Sequence, residues 1–284
     1  MPVFIASLNS GSNANCYYIG NQCEAILVDA GLSCRETEKR MKNLGLLMEK
    51  VKAIFVSHEH YDHISGVQAI SKKYQLPVYI TEATLKICKL FLEKHLIRSF
   101  KHAKIVDVGG LQITPFRKSH DAADPFSFMV SGNKVNVGVI TDIGYACKRA
   151  MKYFNQCHAV FLEANYCEDM LMNGSYPAYL KKRISSDEGH LSNNQALELF
   201  IKCRSPELQL LILSHLSKNN NNPELVNKMF APHAGDAKIF IASRYNASPL
   251  FEIKNSKHPM LLNSMSKMKK TEGSALNEKQ LSLF

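Results

Sequence analysis

Three histidines and an aspartate crowd into the six residues His58, Glu59, His60, Tyr61, Asp62 and His63, directly after the apolar run Val51–Ser57. That run has the length and composition of a buried strand, so the polar cluster is delivered at a strand's C-terminal end, where α/β folds place their chemistry. Side chains two apart can point the same way, which turns His58 and His60 toward one point. Neutral imidazole and carboxylate bind Zn²⁺ or Mn²⁺, and a mixed nitrogen and oxygen set suits two adjacent ions better than a closed thiolate site. An incidental surface cluster of histidines is the bland alternative. It accounts neither for Asp62 in the middle nor for the apolar strand before it.

The remaining pattern is mixed. Short apolar or alternating runs at Val3–Leu8, Cys16–Gly20 and Ala25–Asp29 read as strands, and Ser33–Gly45 as a helix with Ser33 as cap and Gly45 as stop. After the histidine cluster come a helix over Ile64–Tyr74, a strand at Val78–Thr81 and a helix over Glu82–Leu96. Strands then follow at Lys104–Val108, Leu111–Arg117, Phe126–Ser131 and Val135–Asp142. The second half repeats the mixture, with strands at Ala159–Glu163, Gln209–Ser214, Ala237–Ala242 and Leu250–Ile253 and helices over Met170–Ile184, Asn193–Cys203 and Pro223–Phe230. Two mixed halves predict an α/β αββα sandwich: two mixed β-sheets face to face, with helices on the outer faces. One domain over residues 1–254 is expected, followed at 255–284 by a flexible basic tail without periodicity. The tail's final Gln-Leu-Ser-Leu-Phe reads as a frayed terminus rather than a docking peptide.

No charged start with an apolar core opens the chain, and no run of about 18 apolar residues occurs, so a cytoplasmic protein that meets no membrane is expected. Eight cysteines are scattered without paired spacing, which fits reduced thiols. The formal charge is +10, and removing the last 30 residues would still leave +7, so the basicity belongs to the body of the protein and permits an anionic partner. Nothing here sets the oligomeric state.

One loop cannot fill the coordination of two ions, so further donors are needed at other strand ends. His120 follows the strand ending near Arg117, Asp142 closes the run Val135–Asp142, and His215 closes Gln209–His215. Singly, each could be a structural histidine or a capping aspartate; three in one setting argue for a shared site.

Taken together, His58–His63, Lys118–Pro125, Val139–Gly144 and Leu211–Lys218 resemble the motifs of the metallo-β-lactamase superfamily. The stretches Ser7–Ile19, Glu163–Leu171, Tyr176–Ile184, Gly189–Asn193 and Ser214–Leu225 further resemble its YycJ (WalJ) branch, bacterial hydrolases associated with DNA exonuclease activity. The resemblance covers residues 1–254. It implies one metal held by His58, His60 and His120, a second by Asp62, His63 and His215, and Asp142 bridging them. Two ions about 3.5–4 Å apart can share a hydroxide and stabilise both oxygens of an in-line displacement, which suits phosphodiester hydrolysis in DNA from a chain end.

Departure of the leaving oxygen calls for a proton donor near the metals but not bound to them. His190 fits that post, since relatives that process tRNA 3′ ends carry a non-ligand histidine in a similar segment, and Glu163 resembles the carboxylate that orients it. The bland reading of His190 is a helix cap. Ser12 and Asn15, in a polar loop, and Ser217 with Lys218, following His215, are candidate phosphate contacts. Lys181, Lys182 and Arg183, interleaved with Tyr176 and Tyr179, could track a nucleic-acid backbone or form a solvated helix face. The 72 residues between Asp142 and His215 are too few for the cap domain of RNA-cleaving relatives, so DNA is favoured over RNA. The same ligand set would equally serve a small-molecule hydrolase of thioesterase, lactonase or β-lactamase type, and a non-catalytic scaffold would have no reason to keep every ligand.

Overall fold

The computed structural model describes residues 2–255 and 260–262. Strands β1 (Val3–Asn9), β2 (Cys16–Gly20), β3 (Ala25–Val28), β4 (Val51–Phe55), β5 (Val78–Tyr79) and β6 (Ile97–Arg98) form most of a first sheet. The second sheet takes β7 (Val106–Val108), β8 (Leu111–Arg117), β9 (Phe126–Gly132), β10 (Val135–Ile140), β11 (Ala159–Glu163), β12 (Leu210–Ser214) and β13 (Lys238–Ile241). The chain then returns to the first sheet, where β14 (Leu250–Ile253) pairs antiparallel with β1 and β15 (Met260–Leu262) with β14. Both sheets are mixed: β3 to β6 run parallel beside an antiparallel β1–β2 hairpin, and β10 to β13 run parallel beside antiparallel β7 to β9.

The strands at the centre of each sheet are buried on both faces, as their uninterrupted apolar runs require. Between the sheets, Ile5, Tyr17, Phe55, Phe128, Phe161 and Phe251 form one core; Tyr17 and Phe161 meet across the sheets with ring centroids 4.8 Å apart. Outside the first sheet, Met41 of α1 (Cys34–Asn43) and Ile70 of a helix over Val67–Tyr74 pack on Leu27 and Ile54. Outside the second, Phe154, Phe200 and Phe230 do the same from helices over Lys148–Phe154, Asn193–Cys203 and Pro223–Phe230. The four layers are those of the expected αββα sandwich.

The helix expected over Glu82–Leu96 stops at Cys88: Lys89 adopts a left-handed conformation, and the turn lets Leu90, which lies off the helical stripe, pack against the same cluster as Leu85. The helix expected over Met170–Ile184 is two, Glu168–Asn173 and Ala178–Ile184, because Gly174 ends the first and Pro177 caps the second. The stretch Lys148–Phe154, for which no element was expected, is a helix. The expected tail contributes β15 to the first sheet, and its remainder, with Gln280–Phe284, lies outside the described residues. No described helix is long and apolar enough to cross a membrane.

Phe161 is fully buried between the sheets. Phe161→Ala is expected to lower stability by about 3–5 kcal/mol in urea denaturation, whereas Tyr179→Ala, at an exposed ring, should stay within about 0.5 kcal/mol.

Candidate metal centre

Strands of both sheets end at one edge of the sandwich. There β3 leads into Asp29, β4 into His58 and His60, β8 into His120, β10 into Asp142 and β12 into His215, while a short helix over Tyr61–Ile64 carries Asp62 and His63. Asp29, Asp142 and His215 leave their strands with φ of 57°, 55° and 57°. Left-handed backbone costs a non-glycine residue roughly 1–2 kcal/mol; here it swings each side chain off the sheet toward a common centre. Gly31 lies against the histidine loop so closely that a Cβ there would sit 1.7 Å from the Asp62 carbonyl oxygen.

The inward-facing atoms form two contiguous groups. His58 Nε2 lies 3.0 Å from His60 Nδ1, which is 3.3 Å from His120 Nε2. On the other side, His63 Nε2 is 3.4 Å and His215 Nε2 3.6 Å from Asp62 Oδ2. Asp142 reaches both, with Oδ2 3.5 Å from His63 Nε2 and Oδ1 4.0 Å from His120 Nε2. The structure brings all seven residues together, with His58, His60 and His120 in one group, Asp62, His63 and His215 in another, and Asp142 within reach of both.

Four rings are held by the nitrogen that faces away. His63 Nδ1 donates to Asp29 Oδ2 at 2.7 Å, His120 Nδ1 to the Gly189 carbonyl at 3.0 Å, and His215 Nδ1 to Glu163 Oε1 at 2.9 Å. Ser57 Oγ donates to Asp29 Oδ2 and so accepts from His58 Nδ1, both at 2.8 Å. Each partner fixes its ring so that Nε2 is turned inward, available as a lone pair whenever that nitrogen carries no proton.

The charge balance calls for a cation. Burial alone would strip His215 of its proton, yet Asp142, Asp62 and Glu163 push its pKa up to about 10. His63 is likewise raised well above the ordinary value, against burial, by Asp142, Asp62 and Asp29. On the other side, burial and the neighbouring Lys118 ammonium hold His120 down to about 3, against the pull of Asp142. Asp142 Oδ2 and His215 Nε2 are buried and lack hydrogen-bond partners among the described residues. Buried carboxylates beside imidazole lone pairs, with orphaned donor atoms between them, fit divalent metal ions.

A profile of the beta-lactamase superfamily domain matches residues 24–215 of this chain. The chain belongs to the metallo-β-lactamase superfamily. Its YycJ/WalJ branch supplies strong relatives. A Bacillus anthracis protein named exodeoxyribonuclease YycJ is 35% identical over 233 residues, covering 79% of this chain and 86% of that one. Exodeoxyribonuclease WalJ of Streptococcus pneumoniae D39 is 33% identical over 262 residues, covering 87% and 96%. Among solved structures, the metallo-β-lactamase fold protein YhfI of Bacillus subtilis superposes with a TM-score of 0.69 at 16% identity, covering 89% of this chain and all of that one, which is a likeness of fold.

The structure brings the two remaining site candidates together: His190 Nδ1 lies 2.8 Å from Glu163 Oε1. Glu163 is not dedicated to it, since the same oxygen accepts from His215 while Oε2 accepts from the amides of Ile143 and Leu191. Despite burial, His190 and these bonds hold the Glu163 carboxyl down to about 2. Asn15, expected at the substrate, is instead fully buried, and its amide donates to Asp62 Oδ2 at 2.9 Å. Ser12 accepts from Arg244 Nη2 at 3.0 Å, and Ser217 and Lys218 line a cavity beside His215. The basic helix is partly engaged, with Arg183 paired to Asp121 and Lys181 donating to the Met172 carbonyl. Sequence reasoning missed Asp29, which braces both His63 and Ser57; it closes the apolar run Ala25–Val28, the same signal that marked Asp142 and His215.

Because His215 holds a proton up to a pH of about 10 in the metal-free protein and can ligate only without it, metal must displace that proton. Loading with Zn²⁺ or Mn²⁺ at about pH 7 is expected to release protons, and affinity should rise as the pH is raised toward about 9. Calorimetry in buffers of different ionisation enthalpy reads both; pH-independent binding would contradict the assignment.

Proposed function

We propose that this chain is a metal-dependent phosphodiesterase that degrades DNA from a chain end. The observation that carries the reading is an open groove of about 830 Å³ on the His120 side, lined by Lys86, Lys101, His102, Lys104 and Arg117 over Phe126. Arg117 pairs with Asp124 at 3.1 Å, whereas Lys86, Lys101 and Lys104 have no acidic partner among the described residues. Two of its lining residues adjoin segments of the metal centre: Arg117 is three residues before His120, and the Phe126 amide donates to the carbonyl of Ser57, beside His58. Glu82 also lines the groove, yet its four lysine and arginine side chains outnumber the two carboxylates, and such a basic surface near the cluster suits a phosphate backbone. The names of the relatives, exodeoxyribonucleases, support DNA as its polymer. Eight unpaired cysteines support residence in a reducing compartment, the cytoplasm.

In this reading His58, His60 and His120 hold one ion, Asp62, His63 and His215 a second, and Asp142 serves both. Bound there, Zn²⁺ or Mn²⁺ would supply the positive charge that acidifies water and stabilises an in-line displacement at phosphorus. Asp29, Ser57, Gly189 and Glu163 keep the ring lone pairs inward. His190 is 20% exposed at the side chain and carries its second nitrogen free, because Nδ1 is committed to Glu163. Braced by that carboxylate, His190 is the group placed to donate a proton from Nε2 to the departing oxygen.

Purified protein with Mn²⁺ or Zn²⁺ is expected to release nucleotides from end-labelled duplex DNA, and Asp62→Ala with His63→Ala to abolish release. With metal content retained, His190→Ala should slow DNA cleavage by about 10²–10⁴-fold but slow bis(p-nitrophenyl) phosphate hydrolysis far less, since that leaving group departs without a proton. Equal losses on the two substrates would remove His190 from the acid's role.

Lys101→Glu with Lys104→Glu should raise the KM for duplex DNA relative to that for the small diester. It should also flatten the dependence of log KM on log salt by about 0.9 for each phosphate that the lysines no longer neutralise. A salt response already flat in the wild type would favour a small-molecule substrate.

A further inference from the structure

A second concavity, of about 290 Å³, opens on the opposite, His215 side of the metal centre. Its walls are the loop after β12, with Ser217 and Lys218, and the loop after β13, with Ser243, Arg244 and Tyr245; Leu216, Pro223 and Ile241 make it partly apolar. Ser10 joins it to the centre, because this residue is among those that line the cavity and its Oγ accepts from the His215 amide at 2.8 Å.

Its charge is one-sided. No carboxylate lines it, and neither Lys218 nor Arg244 has an acidic partner among the described residues. Arg244 is held in place by the loop after β1: Nη2 donates to Ser12 Oγ at 3.0 Å, and Asn13 Nδ2 donates to the Arg244 carbonyl at 2.9 Å. Its Nη1 is buried without a hydrogen-bond partner. A pre-positioned guanidinium and a mobile ammonium, flanked by two serine hydroxyls, are the donors that recognise phosphate. Beside them Tyr245 is 64% exposed, an aromatic face of the kind on which a base stacks.

Size decides what such a site can take. The volume is at or below the small end of ligand pockets, roughly 300–1,000 Å³, enough for about one nucleotide and too little for a continuing strand. The basic groove lies on the His120 side and this cavity on the His215 side, so a strand laid in the groove and crossing the metal centre would bring its last unit here.

We propose that the cavity bounded by Ser217, Lys218, Arg244 and Tyr245 is a subsite for the terminal nucleotide of a DNA chain, its phosphomonoester held by Arg244 and Lys218 and its base against Tyr245. The subsite rests on the phosphodiesterase reading and deepens it: a polymer that must end in this cavity is cut from its end. The shared chemistry is a terminal phosphate, at either the 5′ or the 3′ end.

Two measurements test it. The first is titration of the metal-loaded protein with dAMP bearing its phosphate at the 5′ or the 3′ position. One isomer is expected to bind, and Lys218→Met, at an exposed side chain, should weaken it by about tenfold. The second compares duplexes with phosphate or hydroxyl at each end: the wild type is expected to degrade the matching phosphorylated end at least about tenfold faster, and Lys218→Met and Arg244→Met to erase that ratio. Arg244→Met also loosens the loop at Ser12, so its thermal midpoint is read alongside, and Lys218→Met stands alone if that variant does not fold. DNA cleavage indifferent to the terminal phosphate, or a preference that survives Lys218→Met, overturns the subsite while leaving the nuclease reading in place. Tight, Lys218-dependent nucleotide binding in a protein that leaves DNA intact overturns the nuclease reading and the end-recognition role with it, leaving a mononucleotide site.

Discussion

Everything at the functional edge depends on the burial of Asp142 between imidazoles from both sheets. A carboxylate removed from water is tolerable only with compensating positive charge. Asp142 meets His63 from the first sheet and His120 and His215 from the second. In the metal-free chain, protons on His63 and His215 provide that charge; divalent ions would provide it more strongly and in fixed positions. The site is built around a cation, and the sandwich is the scaffold that brings the two halves of the cage together.

The scaffold's contribution is rigid aim. Parallel strands buried on both faces end at a common edge, and the residues just beyond them break into left-handed backbone at Asp29, Asp142 and His215. Firm bracing stands beside that strain: Asp29 holds His63 and Ser57, and Glu163 takes two amides and two imidazoles on one carboxylate. One carboxylate therefore holds two rings at once: Glu163 Oε1 accepts from both His190 and His215. The flanks of the centre are differentiated as well, with a larger basic groove toward His120 and a small cationic cavity toward His215.

The legible part of this molecule lay in short-range pattern. Runs such as Val51–Ser57 and Gln209–Ser214 could only be buried strands, and the polar residues that close them could only sit at a strand end. The misses have local causes too. Pro177 was visible inside the expected helix over Met170–Ile184 and divides it, and Asp29 carried the strand-end signal but preceded the histidine motif. The end of the helix at Cys88 was different in kind, because Leu90 finds its packing only in the assembled cluster beside Leu85 and Ile80.

The sequence by itself determined the donor types, their placement at strand ends and the order of the layers, since these follow from residue chemistry and from periodicities of two and 3.6. Only the tertiary structure decided which donors share a centre, that Glu163 serves two histidines, and that Asn15 is committed inward to Asp62 rather than facing substrate. It also joined Ser12 to Arg244, 232 residues away. Such pairings depend on distances between segments remote in the chain, which no local pattern encodes and which the packing of two sheets imposes.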